Sequence, residues 1–186
     1  MAQLAKNNPV EFPEAVKEGR ALVEQLTREI RTTSYLLHPP LLDEVGLSSA
    51  LRWYAQGVTE RSGLQIDLKI ADNLERLPRD LELVIFRLVQ ESLTNIHRHS
   101  GSKRALISIE REAAYVRVSV QDEGKGISPE RLAKIQSQGT GVGIRGMRER
   151  LRPFGGELQF ESNGSGTKVS AVLPTNMPSS ADQNTI

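Results

Sequence analysis

The sequence contains no cysteine, which excludes disulfides, thiolate metal sites and a cysteine nucleophile, and which suits a reducing compartment. Aromatic residues make up only 4%, with a single tryptophan. No apolar run approaches the ~20 residues of a membrane span. The start, MAQLAKNNPVEF, lacks the charged-then-apolar order of a signal peptide. Charge of one sign is missing too: 24 Lys plus Arg stand against 23 Asp plus Glu, so no global field points toward nucleic acid or an acidic surface. What remains is the composition of a soluble, cytoplasmic protein. Its 186 residues suit one main core with an appendage.

The periodicities are clear. Val16, Val23, Ile30 and Leu37 recur at seven-residue spacing, widened by Leu22, Leu26 and Leu36, and predict a long amphipathic helix over Glu14–Leu37. HPPLL stops it, because two successive prolines cannot continue the ladder. A second helix is expected from Gly46 to Ser62, with Leu47, Leu51, Tyr54 and Val58 on one face and Gly63 as its stop. LQIDLKI alternates as a half-buried strand. Pro78 suits a first helical position and opens a third helix that Gly101 ends. RALISIE and AYVRVSV read as one hairpin, GELQFES and TKVSAVLP as another around NGSG, and a helix begins near Gly143. The polar tail after residue 175 reads as disordered. This order predicts an α+β fold, a sheet layered on helices, and not the strict βαβ alternation of a parallel sheet.

Three features carry chemistry. Gly141, Gly143 and Gly146 have the GxGxxG spacing of dinucleotide folds, but SPERLAKIQSQ precedes them where that fold needs a buried strand. No Lys-Ser/Thr pair follows for a P-loop. The glycines keep one physical meaning, close backbone approach before a helix N-terminus that attracts anions. In the third helix the stripe Leu81, Val84, Leu88 continues at helical spacing with Glu91, Asn95 and His99, so a core-facing line turns polar and either meets solvent or lines a pocket. Glu91 and Asn95, four apart, place a carboxylate and an amide oxygen on one face, suited to a hard cation such as magnesium. VSVQDEGKGI ends a strand in Asp122, followed by Gly124 and Gly126; alone, any turn would hold these residues.

Taken in order, these features resemble the catalytic and ATP-binding domain of bacterial sensor histidine kinases, in the wider family with gyrase-type, Hsp90-type and MutL-type ATPases. QESLTNIHRHS resembles the N box, DEGKGI and GTGVGIRGMRERL the two glycine boxes, and GSGTKVSAVLP the closing strand. LLHPPLLDEVGLSSALRWYAQGVTERSGLQIDL and GMRERL are similar to the kinases that signal to NarL/LuxR-type response regulators. The resemblance implies a two-layer fold, a mixed, mostly antiparallel sheet of about five strands with three helices. Residues 1–39 would be the end of a helical dimerisation domain, 40–175 the ATP-binding domain and 176–186 a tail.

The same resemblance implies the site. Glu91 would be the catalytic base, Asn95 the magnesium ligand, Asp122 the acceptor of the adenine amino hydrogen and Thr167 a water-mediated adenine contact. Gly124 and Gly126 would let the backbone approach the nucleotide, Gly141 and Gly143 would lead into the phosphate-binding helix, and Ile127–Thr140 would be a short mobile lid. His99 and Lys125 would neighbour the phosphates, though both positions equally suit solvent. Cofactors are then ATP and magnesium; partners are a response regulator and, in a full-length protein that could be membrane-anchored, a second copy. His38, His97 and His99 are the only histidines and none stands in an ELHD-like acceptor motif, so the chain reads as cut just after the acceptor and unable to label itself. The exposed stripe of Glu14–Leu37 would then self-associate weakly. A non-catalytic, nucleotide-responsive module of the same fold is the alternative, and an NAD enzyme a distant third.

Overall fold

A computed structural model describes residues 16–20, 22–23, 40–72, 74–138 and 141–175. The chain divides into two compact units, Met1–Pro40 and Leu41–Ile186. In the first, residues 16–20 and 22–23 are helical, with Val16, Leu22 and Val23 exposed. The rest of the predicted helix Glu14–Leu37, the hinge at His38 and the tail after Thr175 lie outside the described residues.

In the second unit α1, Pro40–Ser62, is broken at Gly46. Its φ of 79° with ψ of 173° belongs to a region open almost only to glycine. After that break the helix buries Leu47, Ala50, Leu51 and Tyr54. Its first segment is fastened to the next helix by Arg79, which donates to both Asp43 carboxylate oxygens at 2.6 and 3.0 Å. The strand β1, Gln65–Ile70, follows. Helix α2 runs Arg79–Asn95, with Pro78 one place earlier than expected, at the cap, and continues into a π turn, Ile96–Ser100. Gly101, at φ 71°, ends it. Then come β2, Arg104–Arg111, β3, Tyr115–Asp122, α3, Pro129–Gln138, α4, Val142–Leu151, β4, Glu157–Ser162, and β5, Thr167–Pro174.

The five strands form one sheet in the order β1-β2-β3-β5-β4. Both predicted hairpins are present, and β3 with β5 is antiparallel as well. β1 and β2 run parallel, because α2 carries the chain back between them. The sheet's inner face shows strand alternation directly. Ile107 and Ile109 on β2, and Val116, Val118 and Val120 on β3, are at most 1% exposed, while the paired Ser108 and Ser119 point the other way. The next inward position after Val120 is Asp122, a carboxylate placed by strand period at the edge of the apolar core.

Against this face packs α2, and here the expected stripe is corrected. The buried residues include Leu81, Ile85, Phe86, Leu88, Val89, Ser92, Leu93 and Ile96, together with the polar Glu82 and Gln90; Val84, Glu91 and Asn95 are half-buried and His99 is exposed. The core-facing line therefore continues through Ser92 and Ile96, and Glu91 and Asn95 flank it by one step around the helix. Two stripes at helical spacing fit this sequence equally well, and the sheet selects the one with more apolar area to bury.

Candidate active site

Glu91 and Asn95 lie one turn apart, and the Asn95 Nδ2 donates to Glu91 Oε1 at 3.3 Å. A carboxylate only accepts, so this bond fixes the amide with its nitrogen toward Glu91 and leaves its carbonyl oxygen free to face elsewhere. Beyond Asn95 the π turn gives the helix an extra residue, a distortion common beside functional sites, and exposes His97, Arg98 and His99. Ser100 is buried. Its hydroxyl donates to the Ile96 carbonyl at 2.8 Å, and its own carbonyl accepts from the Lys125 N–H at 3.0 Å. Gly124 packs on that carbonyl so closely that a Cβ there would overlap it. The end of α2 is thus stitched to the turn that follows β3.

Asp122, 4% exposed, accepts from the Gly124 N–H at 2.8 Å and from the Thr167 N–H. Burial pushes its carboxyl above the usual carboxylate range, and the two amides pull the other way. Two accepted bonds leave acceptor capacity for a ligand donor. The β4–β5 turn closes over the same corner. Ser162 Oγ accepts from the Ile127 N–H at 2.8 Å, donates to the Gly166 carbonyl at 2.7 Å and lies 3.4 Å from Thr167 Oγ1. A Cβ on Gly126 would meet Ser162 Oγ at 2.8 Å, and one on Gly166, at φ 145°, would overlap the Asp122 carbonyl. In sequence NGSG reads as a hairpin turn, and GSGTKVSAVLP resembles the family's closing strand; Ser162, Gly164 and Gly166 join the site through contacts that local pattern does not signal.

The segment expected to be a lid is, from Pro129 to Gln138, the helix α3, which anchors through Ile135, 1% exposed. Gly139 and Thr140 lie outside the described residues. Gly141, at φ 107°, caps α4. Gly143, in the first turn of α4, faces Glu91, and a Cβ there would overlap Glu91 Oε1. The carboxylate therefore rests against the positive end of α4, where the free amides and dipole favour negative charge.

These walls enclose a cleft of about 820 Å³. Its buried end is lined by Ser92, Ile96, Val120, Asp122, Val169 and Phe160, and its rim carries Arg98, His99, Lys125 and Arg131. Of the expected site residues, Asn95, His99, Asp122, Gly126 and Thr167 line this cleft. Gly124 and Gly143 are held in its walls by the close approaches above, Gly141 caps the adjoining helix and Glu91 abuts Gly143. Among the described residues no cluster of three or more His, Cys, Asp or Glu could hold a metal by itself. An apolar buried end, one inward carboxylate and a cationic rim fit a purine nucleotide: the flat base in the dry end, the phosphates at the rim.

The profile of the family described as histidine kinase-, DNA gyrase B- and HSP90-like ATPases matches residues 80–177. The chain belongs to this ATPase family. Among curated relatives, the sensor histidine kinase MctS of Rhizobium johnstonii is 29% identical over 159 residues, 86% of this chain and 34% of that protein. The signal transduction histidine-protein kinase/phosphatase DegS of Brevibacillus brevis is 31% identical over 160 residues, 86% of this chain and 40% of that protein. The chain spans about a third to two-fifths of the length of the curated relatives it matches. Its fold is shared with the blue-light activated histidine kinase of Erythrobacter litoralis EL346, at a TM-score of 0.63 and 22% identity over 83% of this chain and 50% of that one. As a member of the ATPase family, the chain takes ATP as its nucleotide. No helix among the described residues is long and apolar enough to cross a membrane.

Proposed function

We propose that this chain is the ATP-binding catalytic portion of a sensor histidine kinase, which transfers the γ-phosphoryl group of ATP to a histidine outside the residues described above. The single observation that carries the reading is the placement of Glu91. It is hydrogen-bonded to Asn95 and packed on the N-terminus of α4, beside the cleft that holds Asp122, and pure nucleotide binding does not need a carboxylate there. Asp122 accepts the adenine amino hydrogen, and Thr167 supports it. The α4 amides behind Gly141 and Gly143 meet the phosphates, and His99 and Lys125 add charge at the rim. Magnesium, when bound, offsets phosphate charge. Its protein ligand would be the Asn95 carbonyl oxygen, which the Glu91 bond orients; this suits a cation that keeps most of its waters and takes the rest of its oxygens from phosphate. Glu91 orients and polarises the attacking imidazole, so that its nitrogen lone pair points at the γ-phosphorus while positioning and charge stabilisation do the remaining work. The product then serves a response regulator of NarL/LuxR type, and the whole protein acts as a homodimer.

The direct test is to incubate the chain with γ-labelled ATP, alone and with a two-helix domain carrying an acceptor histidine, such as that of the Brevibacillus relative. Acid-labile label is expected on the added domain and not on this chain, whose three histidines stand outside any acceptor motif. Label on this chain alone, or on neither protein, contradicts the reading.

The magnesium role has its own measurement. Asn95→Ala should weaken ATP binding in the presence of magnesium and leave binding in chelator nearly unchanged, as followed by calorimetry. Equal Mg-ATP affinities for the two chains would remove Asn95 from the metal's surroundings.

A further inference from the structure

Four hydroxyls in the described helices bond back to the carbonyl four residues earlier: Ser62 to Val58 at 2.7 Å, Thr94 to Gln90 at 2.9 Å, Ser100 to Ile96 at 2.8 Å and Ser137 to Ala133 at 2.8 Å. Ser92 does not. It is 2% exposed, and its Oγ has no hydrogen-bond partner. A buried hydroxyl without a partner is unfavourable, and it gains most if a bound molecule supplies the missing partner. Ser92 lies on the sheet-facing line of α2 and lines the same cleft as Asp122.

We propose that Ser92 is a base-reading residue: its hydroxyl makes a hydrogen bond, direct or through one ordered water, to the adenine ring of the nucleotide assigned to this cleft under Proposed function. The cleft's polarity places the contact at the base and not at the phosphates. Arg98, His99 and Lys125 line the rim and are exposed, and a polyanion stays at that end. The floor near Ser92 is apolar, with Ile96 at 5% and Val120 at 1% exposure, and its one charged group is Asp122. A purine buried there presents ring nitrogens and an amino group that one carboxylate cannot satisfy alone. A hydroxyl both donates and accepts, so Ser92 complements an acceptor-only neighbour.

The test reads two quantities of opposite sign. Ser92→Ala removes the orphan group and suits a helix interior, so the melting temperature of the nucleotide-free chain should hold or rise. ATP and ADP affinity should both fall by about three- to tenfold, the value of one neutral hydrogen bond. Unchanged affinity overturns the proposal, as does a loss confined to ATP, which would put Ser92 at the terminal phosphate. A fall in melting temperature alongside affinity also overturns it, because Ser92 would then serve the fold. Failure of this inference is distinguishable from failure of the functional reading on which it rests. If the unaltered chain binds no ATP, both fall. If it binds ATP and Asp122→Ala weakens that binding while Ser92→Ala does not, only the Ser92 role is lost.

Discussion

Glu91→Gln should lower phosphoryl transfer to an added acceptor domain by about a hundred- to ten-thousandfold, the range removed with a general base, while ATP affinity changes by no more than a few-fold. Glutamine is nearly isosteric. Its side-chain oxygen can still accept from Asn95 Nδ2 and still fits against Gly143, so the walls of the site survive. What it lacks is the negative charge and basicity that polarise the incoming imidazole. The pair of measurements is transfer of label from γ-labelled ATP and ATP binding by titration. Transfer at the parental rate would leave Glu91 as a wall residue. Transfer and binding lost in parallel would make it a nucleotide anchor.

ATP binding by Asp122→Ala should fall about ten- to a hundredfold, since a hydrogen bond to a charged acceptor is worth about 1.5 to 3 kcal/mol, and GTP should lose much less. Guanine places a carbonyl oxygen where adenine has its amino group, so Asp122 favours one base and repels the other. The ATP-to-GTP affinity ratio therefore drops. Alanine also strands the Gly124 and Thr167 amides that Asp122 receives, and Asp122→Asn separates that effect. It keeps an acceptor oxygen for those amides and offers a donor to guanine, so its ratio should fall further. Equal weakening of both nucleotides with an intact fold would reduce Asp122 to a turn residue. Acidity gives an independent reading. Burial raises the carboxyl above its ordinary value of ~3.9, so on acidification Asp122 takes up its proton early, and ATP affinity should start to fall above the normal carboxylate range. Asp122→Asn should lack that component. Folding stability moves the other way in this window: the folded state binds the proton more tightly than the unfolded one, so between the raised and the ordinary value the Asp122 contribution grows as pH falls.

The order of the elements was legible because it is written locally. Alternation in RALISIE and AYVRVSV, the helical stripe after Pro78 and the stops at Gly63 and Gly101 are properties of neighbouring residues, and the structure carries them at nearly the expected bounds. So too the composition of the motifs: a carboxylate and an amide four apart on a helix will share a face in any fold. The tertiary structure decided what such faces meet. Glu91 and Ser92 differ by one step around α2, and only packing on β2 and β3 turned Ser92 inward and left Glu91 to meet Gly143. Asp122 became a buried acceptor because β3 lies between β2 and β5, with the Thr167 amide and Gly166 brought from over 40 positions away. The parallel pairing of β1 with β2, the π turn at Ile96–Ser100 and the recruitment of Ser162 have the same origin. A local pattern specifies a segment's two faces; which face is buried, and which distant backbone approaches close enough to require a glycine, depends on the apolar area gained when whole elements pack together.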